Sequence, residues 1–147
     1  MSEPHLPVSG IWSVPITAYH LFLSGRVGWQ RKQHQVIMGD RLRDSDSDNL
    51  VSDPLHTAIR AHANFLENTP LAMILAVIAE LNGMPRRYLH WALAGFFAVR
   101  VVHVELGLMR RGTQGLGRFV GYWGTNAWFI GMASWVGYCG REYWGWK

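Results

Sequence analysis

The sequence predicts an all-α integral membrane protein, a bundle of four transmembrane helices formed by a single domain over residues 1–147. Three observations predict it. Hydrophobic residues make up 49% of the chain and charged residues only 16%, against about 25% charged in an ordinary soluble domain. The charges are segregated: of 24 in all (14 basic plus 10 acidic), 10 fall between Arg26 and Ile59, so a mean hydropathy of only +0.01 coexists with apolar stretches that are nearly free of charge. Four such stretches approach the length of about 20 residues that a helix needs to cross hydrocarbon.

The first window runs from Val8 to Gly25. The opening Met1 to Val8 holds Glu3, Pro4 and Pro7 and lacks the basic start and small-residue cleavage site of a secretory signal, so this stretch is expected to stay as a helix. Asp53-Pro54 opens the second window, Leu55 to Leu81, and Asn82-Gly83 closes it; an acidic cap before proline and a glycine after the last apolar turn are start and stop signals. Pro85 precedes the third, Tyr88 to Met109, which Arg110-Arg111-Gly112 ends before the fourth, Leu116 to Cys139. Only Met38 to Ser52, with Asp44-Ser45-Asp46-Ser47-Asp48, reads as a longer connector, polar and solvated. Trp12, Trp91, Trp144 and Trp146 fall near helix ends, where amphipathic rings favour the headgroup layer. Gly117, Gly121 and Gly124 share one face of the fourth helix, at a spacing that lets helix backbones approach in lipid.

Charge also orients the chain. The first and third loops with their flanks hold Arg26, Arg31, Lys32, Arg41, Arg43, Arg110, Arg111 and Arg118, while the opposite side holds Arg86, Arg87, Arg141 and Lys147. Eight against four places those two loops in the cytoplasm and both termini outside it or in a lumen. The net charge of +4 does not imply nucleic acid, because the basic residues sit at the ends of apolar stretches and no recognition motif is present. A single cysteine, Cys139, excludes an internal disulfide and a cysteine metal centre. No pair among His56, Asn68 and His103 has a metal-site spacing.

Several residues do not belong in lipid. Arg60, Asn64 and Glu67 recur at i, i+4 and i+7 and so stack along one face of the second helix. Arg100 and His103 lie one turn apart on the third, with Glu105 off that face. Ionisable groups within a membrane cost a few kcal/mol each on insertion scales, so they point into protein and serve a site. Two readings follow from the residues alone. The set could fix helix register as a structural network, with Arg60 pairing to Glu67 or Glu105. It could equally clasp a zwitterionic ligand, arginine on a carboxylate and Glu67 on an ammonium. His62 and Glu80, on the face of the second helix opposite Arg60, read as packing groups.

Arg60-Ala-His-Ala-Asn64-Phe-Leu-Glu67 resembles the second-helix motif of the MAPEG superfamily, the membrane-associated proteins in eicosanoid and glutathione metabolism. The resemblance extends over most of the chain, through the basic end of the first helix (Arg26 to His34), Ser52-Asp53-Pro54 and Arg100-Val-Val-His103. It implies a four-helix bundle assembled as a homotrimer, with glutathione bound between neighbouring subunits near the cytoplasmic side and a lipophilic small-molecule substrate supplied by the lipid bilayer. It further implies that Arg60, Asn64, Glu67, Arg100 and His103 bind glutathione and that an arginine stabilises its thiolate, Arg118 being the best match. The membrane implied is the endoplasmic reticulum or another endomembrane in a eukaryote, or the inner membrane in a bacterium. The chain departs from the pattern in two places: Gly107 stands where many catalytic members have a tyrosine, and Asn68 replaces an aromatic residue often found after the glutamate. The function expected is a glutathione transferase or peroxidase acting on lipophilic electrophiles or hydroperoxides. The alternative is a non-enzymatic trimeric membrane protein of the same fold, whose polar cluster fixes assembly or binds another small anion.

Overall fold

The computed structural model describes residues 6–40, 53–109, 116–141 and 145, which form four helices and no strand. Helix α1 spans Pro7–Gln33, α2 Pro54–Leu81, α3 Arg86–Val102 and α4 Leu116–Cys139; α3 runs on without a break into a π-helical segment, His103–Leu108. The all-α fold of four helices expected from the sequence is the fold observed.

Local chemistry sets the helix ends. Asp53 caps α2, its Oδ1 accepting from the backbone N–H of Leu55 (2.8 Å) and of His56 (3.0 Å), and Pro54 occupies the first helical position, where its missing N–H costs nothing. At the other end Gly83 takes a φ of +81°. The N–H of Met84 returns to the carbonyl of Ala79 and that of Gly83 to the carbonyl of Glu80, the paired bonds of a glycine-terminated helix.

Helix α1 runs eight residues past the expected end at Gly25 and takes in the basic segment through Gln33. The first charged residue ends the apolar window but not the helix, because nothing between Arg26 and Gln33 breaks it. The corner comes at His34 and Gln35, the latter with φ +52°. The connector expected from Met38 to Ser52 lies, from residue 41 onward, outside the described residues; Arg110, Arg111, Trp144 and Trp146 do too.

Two apolar clusters form the core. One, near the N-terminal end of α1, gathers Val8, Ala76, Ala79, Leu89, Leu93 and Met132. The other, farther along α1, gathers Ile16, Leu23, Ala61, Phe65 and Val104. Small residues on the buried stripe of α2, Ala58, Ala61, Thr69, Ala72, Ala76 and Ala79, let its neighbours pack closely. Outside the core the bundle is apolar as well: Ile11, Val14 and Leu21 on α1, Leu66, Leu71 and Ile74 on α2, and Phe119, Trp123 and Ile130 on α4 are all exposed. So much exposed apolar surface on three of the four helices suits a lipid-facing exterior.

By length and apolarity alone, the described helices that qualify as spans are Pro54–Leu81 and Arg86–Leu108, with 28% and 33% of the spanning window buried. Helix α1 and helix α4, of 27 and 24 residues, are long enough. They are less apolar because the uncharged part of α1 holds Pro15, Ser9, Ser13, Ser24, Thr17 and His20, and because α4 is rich in glycine, tryptophan and tyrosine.

Candidate functional site

The site is built around a buried arginine. Arg100, near the end of α3, is only 2% exposed, a placement that is costly unless its donors are satisfied. One terminal nitrogen donates to Thr125 Oγ1 of α4 (3.1 Å); the other donates to the Asn64 carbonyl oxygen (3.0 Å) and to the Asn64 side-chain oxygen. The Asn64 carbonyl can take this bond because a backbone carbonyl has two lone pairs, and side chains nearby use carbonyls of α2 in the same way. Asn68 Nδ2 also donates to Asn64 O (2.8 Å), and Thr69 Oγ1 donates to Phe65 O (2.7 Å). The Nε–H of Arg100 is buried and without a partner.

Asn64 therefore meets Arg100 directly. Arg60 and Glu67 are exposed on the same face of α2, and neither makes a hydrogen bond or ion pair among the described residues. Glu67 is nevertheless close enough to act on the Arg100 charge. Pairing of Arg60 with Glu67 or Glu105, one of the two possibilities the sequence left open, is not observed. Glu105 instead accepts from Arg26 (2.7 Å) and from the Tyr19 hydroxyl (3.0 Å), both on α1.

His103 and Arg118 lie along the seam between the π segment and α4. His103 is 8% exposed, and its Nδ1 sits 3.4 Å from the Gly117 carbonyl oxygen. Arg118 is exposed at the first turn of α4 and uses its Nε to donate to Gly107 O (3.1 Å). His103 is within electrostatic reach of both Arg100, which is buried, and Arg118, which is exposed.

Glycines make this seam possible. A Cβ on Gly117 would stand 2.6 Å from the carbonyl carbon of Leu106, and one on Gly121 would overlap the His103 ring at 1.9 Å. The backbone therefore approaches where the small-residue face of α4 was expected to pack. Gly107 belongs to the same contact, its hypothetical Cβ 3.0 Å from the Arg118 backbone nitrogen. A tyrosine there would push α4 away, so the departure at Gly107 is structurally required here.

Sequence reasoning missed the Tyr19–Arg26–Glu105 group. The one available signal was the i, i+7 spacing of Tyr19 and Arg26, which puts both on one face of α1. The two packing groups of α2 were placed more fully than expected. Glu80 accepts from the first free N–H groups of α1, Val8 N at 2.8 Å and Ser9 N at 2.9 Å, and so caps that helix from its neighbour. His62 packs its ring against His20 of α1, centroids 4.8 Å apart.

Comparison with known proteins bears on the fold and the family. The model of the MAPEG family matches residues 9–138, nearly the whole bundle. No curated protein and no solved structure matches the chain. The family is a membrane family of four-helix bundles generally associated with glutathione. With a match reaching from the first turn of α1 to the last of α4, the chain belongs to the MAPEG family.

Proposed function

We propose that the protein is a membrane-bound glutathione transferase or peroxidase, working as a homotrimer, in which Arg60, Asn64, Glu67, Arg100 and His103 hold glutathione and Arg118 stabilises its thiolate. The observation that carries this reading is the unfinished face of α2. Arg60 and Glu67 are exposed with no partner among the described residues, above an Arg100 whose Nε–H is buried and unspent. Opposite charges held apart beside an unsatisfied guanidinium suit a ligand that carries both carboxylates and an ammonium, as glutathione does. An exposed site of this kind needs a neighbouring subunit to close it, which favours a trimer with the ligand between subunits. The second substrate is lipophilic and arrives through the bilayer.

The chemistry asked of the protein is modest. A free thiol with a pKa near 8.5 is only a few per cent ionised at neutral pH, and an adjacent guanidinium makes the thiolate dominant. The test is glutathione binding to the detergent-purified chain, followed by conjugation of a chromogenic electrophile. Absence of binding at millimolar glutathione would refute the reading.

Glu67→Gln is expected to weaken glutathione at least tenfold, about 1.4 kcal/mol, with little effect on melting. The amide keeps hydrogen-bonding capacity but cannot pair with the ligand ammonium. Titration calorimetry beside a melting curve checks this.

A second reading is favoured by one observation: the bonds from Arg100 to Asn64 and Thr125 join α2, α3 and α4 without any ligand. In that reading the polar cluster fixes assembly or binds another small anion, and the protein is not an enzyme. Glu67→Gln then leaves binding untouched or abolishes assembly.

The orientation follows from the charge bias: both termini on the non-cytoplasmic side, of an endomembrane in a eukaryote or of the inner membrane in a bacterium. Cysteines introduced at Ser45 and at Gly145 in a Cys139→Ser background should be labelled from opposite sides. Labelling of the Gly145 site from the cytoplasm would reverse the assignment.

A further inference from the structure

A second site lies on the other side of α2. A cavity of about 450 Å³ opens between the C-terminal part of α1, α2 and the end of the π segment, lined by Phe22, Arg26, Trp29, Gln30, Ala58 and Met109. Ala58 precedes Glu67 by nine residues, about 900° of helical turn and hence the opposite side of α2. The cavity is therefore separate from the candidate glutathione face.

Its polar groups are incomplete in a specific way. Arg26 spends one terminal nitrogen on Glu105, out of five N–H donors on a guanidinium, and its guanidinium carbon lies over the Phe22 ring, 5.2 Å from the centroid. One turn later Gln30 presents a side-chain oxygen that is buried and has no hydrogen-bond partner. The cavity thus has unspent donors on a cation and, beside them, an acceptor that wants a hydroxyl or N–H.

Depth and charge narrow the occupant. Arg26 follows Pro7 by 19 residues (26 minus 7), about 28 Å along the helix, close to the ~30 Å thickness of bilayer hydrocarbon. The cavity consequently sits at the headgroup layer opposite the start of α1, and exposed Trp29 stands where interfacial tryptophans settle. Arg31 and Lys32 follow in the next turns, and α1 itself contains no acidic residue to neutralise them. Arginine meets phosphate in bidentate geometry.

We infer that this cavity binds the headgroup of an acidic phospholipid whose phosphate stands beside a hydroxyl, of the phosphatidylglycerol type. The phosphate engages the open edge of Arg26, the headgroup hydroxyl donates to the Gln30 side-chain oxygen, and the glycerol and upper acyl chain lie against Phe22 and Trp29. A phosphocholine headgroup has no donor for Gln30 and no net charge. The inference depends on the membrane placement of α1 and not on glutathione chemistry.

The test uses the full chain in neutral detergent, melted with added dioleoyl phosphatidylglycerol, phosphatidylethanolamine or phosphatidylcholine. Phosphatidylglycerol is expected to raise the Tm by about 4 °C or more, as a ligand specific for the folded state does, and the other two by less than half as much. Because Arg26→Gln also loses its bond to Glu105, the quantity read is the shift on lipid addition, not the Tm itself. That shift should fall by more than half in Arg26→Gln and in the size-matched Gln30→Met, and persist in the double variant Arg31→Gln, Lys32→Gln. Equal shifts with all three lipids overturn the inference. A shift retained in both cavity variants, or lost only in the Arg31, Lys32 variant, overturns it too. Glutathione binding measured in the same samples keeps this result separate from the fate of the proposed transferase activity.

Discussion

Gly121→Leu is expected to lower the melting temperature by about 10 °C or more, the largest stability effect of any single substitution on the α4 seam. Even the first added atom has nowhere to go: a Cβ at Gly121 would lie 1.9 Å from His103 Nδ1, 2.2 Å from its Cγ and 2.3 Å from its Cβ. The obstacle is not the tip of a flexible chain. His103 is buried, it begins the π segment, and its ring is wedged beside Gly117 O, so relief requires α4 to move off as a body. Moving α4 would also strain the Arg100–Thr125 and Arg118–Gly107 bonds and the bond from Trp128 Nε1 to Ala92 O, polar ties across the same interface. Overpacking of a close-packed interface costs about 1–3 kcal/mol and sometimes more, and in lipid there is little hydrophobic drive between helices to compensate. Gly131→Ala and Gly137→Ala are the controls, because nothing lies within 4 Å of a Cβ at either position; both should melt within a degree or two of the parent. A Gly121→Leu protein that melts with the parent would mean that the α4 crossing is looser than the structure has it.

The same seam shows which features a sequence can carry. Helix starts and stops were readable because their chemistry is local: Asp53 needs only the two N–H groups beside it, and Gly83 only its own positive φ. The glycine face of α4 was readable from spacing. The π segment was not. It coincides with the close approach of Gly107 and Leu106 to Gly117 across the interface, and nothing in His103–Leu108 by itself distinguishes a π turn from an α turn. Local widening of this kind is common at functional sites, and here it lies between His103, which faces α4, and Glu105, which faces α1.

The site divides along the same line. That Arg60, Asn64 and Glu67 share a face follows from helical period, and so does the proximity of Arg100 to His103. Which of them meet does not. Arg100 and Asn64 are 36 residues apart and Arg26 and Glu105 are 79 apart, and polar faces on different helices carry no sequence signal for rotation about the helix axis. Packing decides that rotation: the small-residue stripe of α2 and the glycines of α4 fix how far each helix turns, and the ion pairs follow. Arg26 shows what charge counting leaves out: beside its place in the basic flank of the first loop, it pairs with Glu105 of the π segment.

Arg118→Ala should cut turnover at least tenfold while leaving glutathione affinity within a few fold. Arg118 is anchored through Nε to Gly107 O, which fixes the guanidinium plane at the first turn of α4 and leaves its two terminal nitrogens free to face an anion. It is followed by an uncharged run from Phe119 through Cys139, so it stands where the dielectric falls and a charge pair strengthens. A residue that stabilises the thiolate rather than the whole ligand acts on reactivity more than on binding. The ultraviolet absorbance of bound thiolate should accordingly disappear at neutral pH in Arg118→Ala and return as the pH is raised toward the ordinary thiol pKa. Arg118→Lys separates charge from geometry: it keeps a cation but loses the fork that bonds Gly107 O, and should recover thiolate only in part. Arg110 and Arg111, the competing candidates, lie outside the described residues and precede the helix. Thiolate and turnover retained in Arg118→Ala but lost in Arg110→Ala or Arg111→Ala would move the role to the preceding turn and leave the transferase reading standing; loss of glutathione binding together with turnover would instead make Arg118 a ligand-holding residue, because an interaction made equally in ground and transition states cannot act on turnover alone.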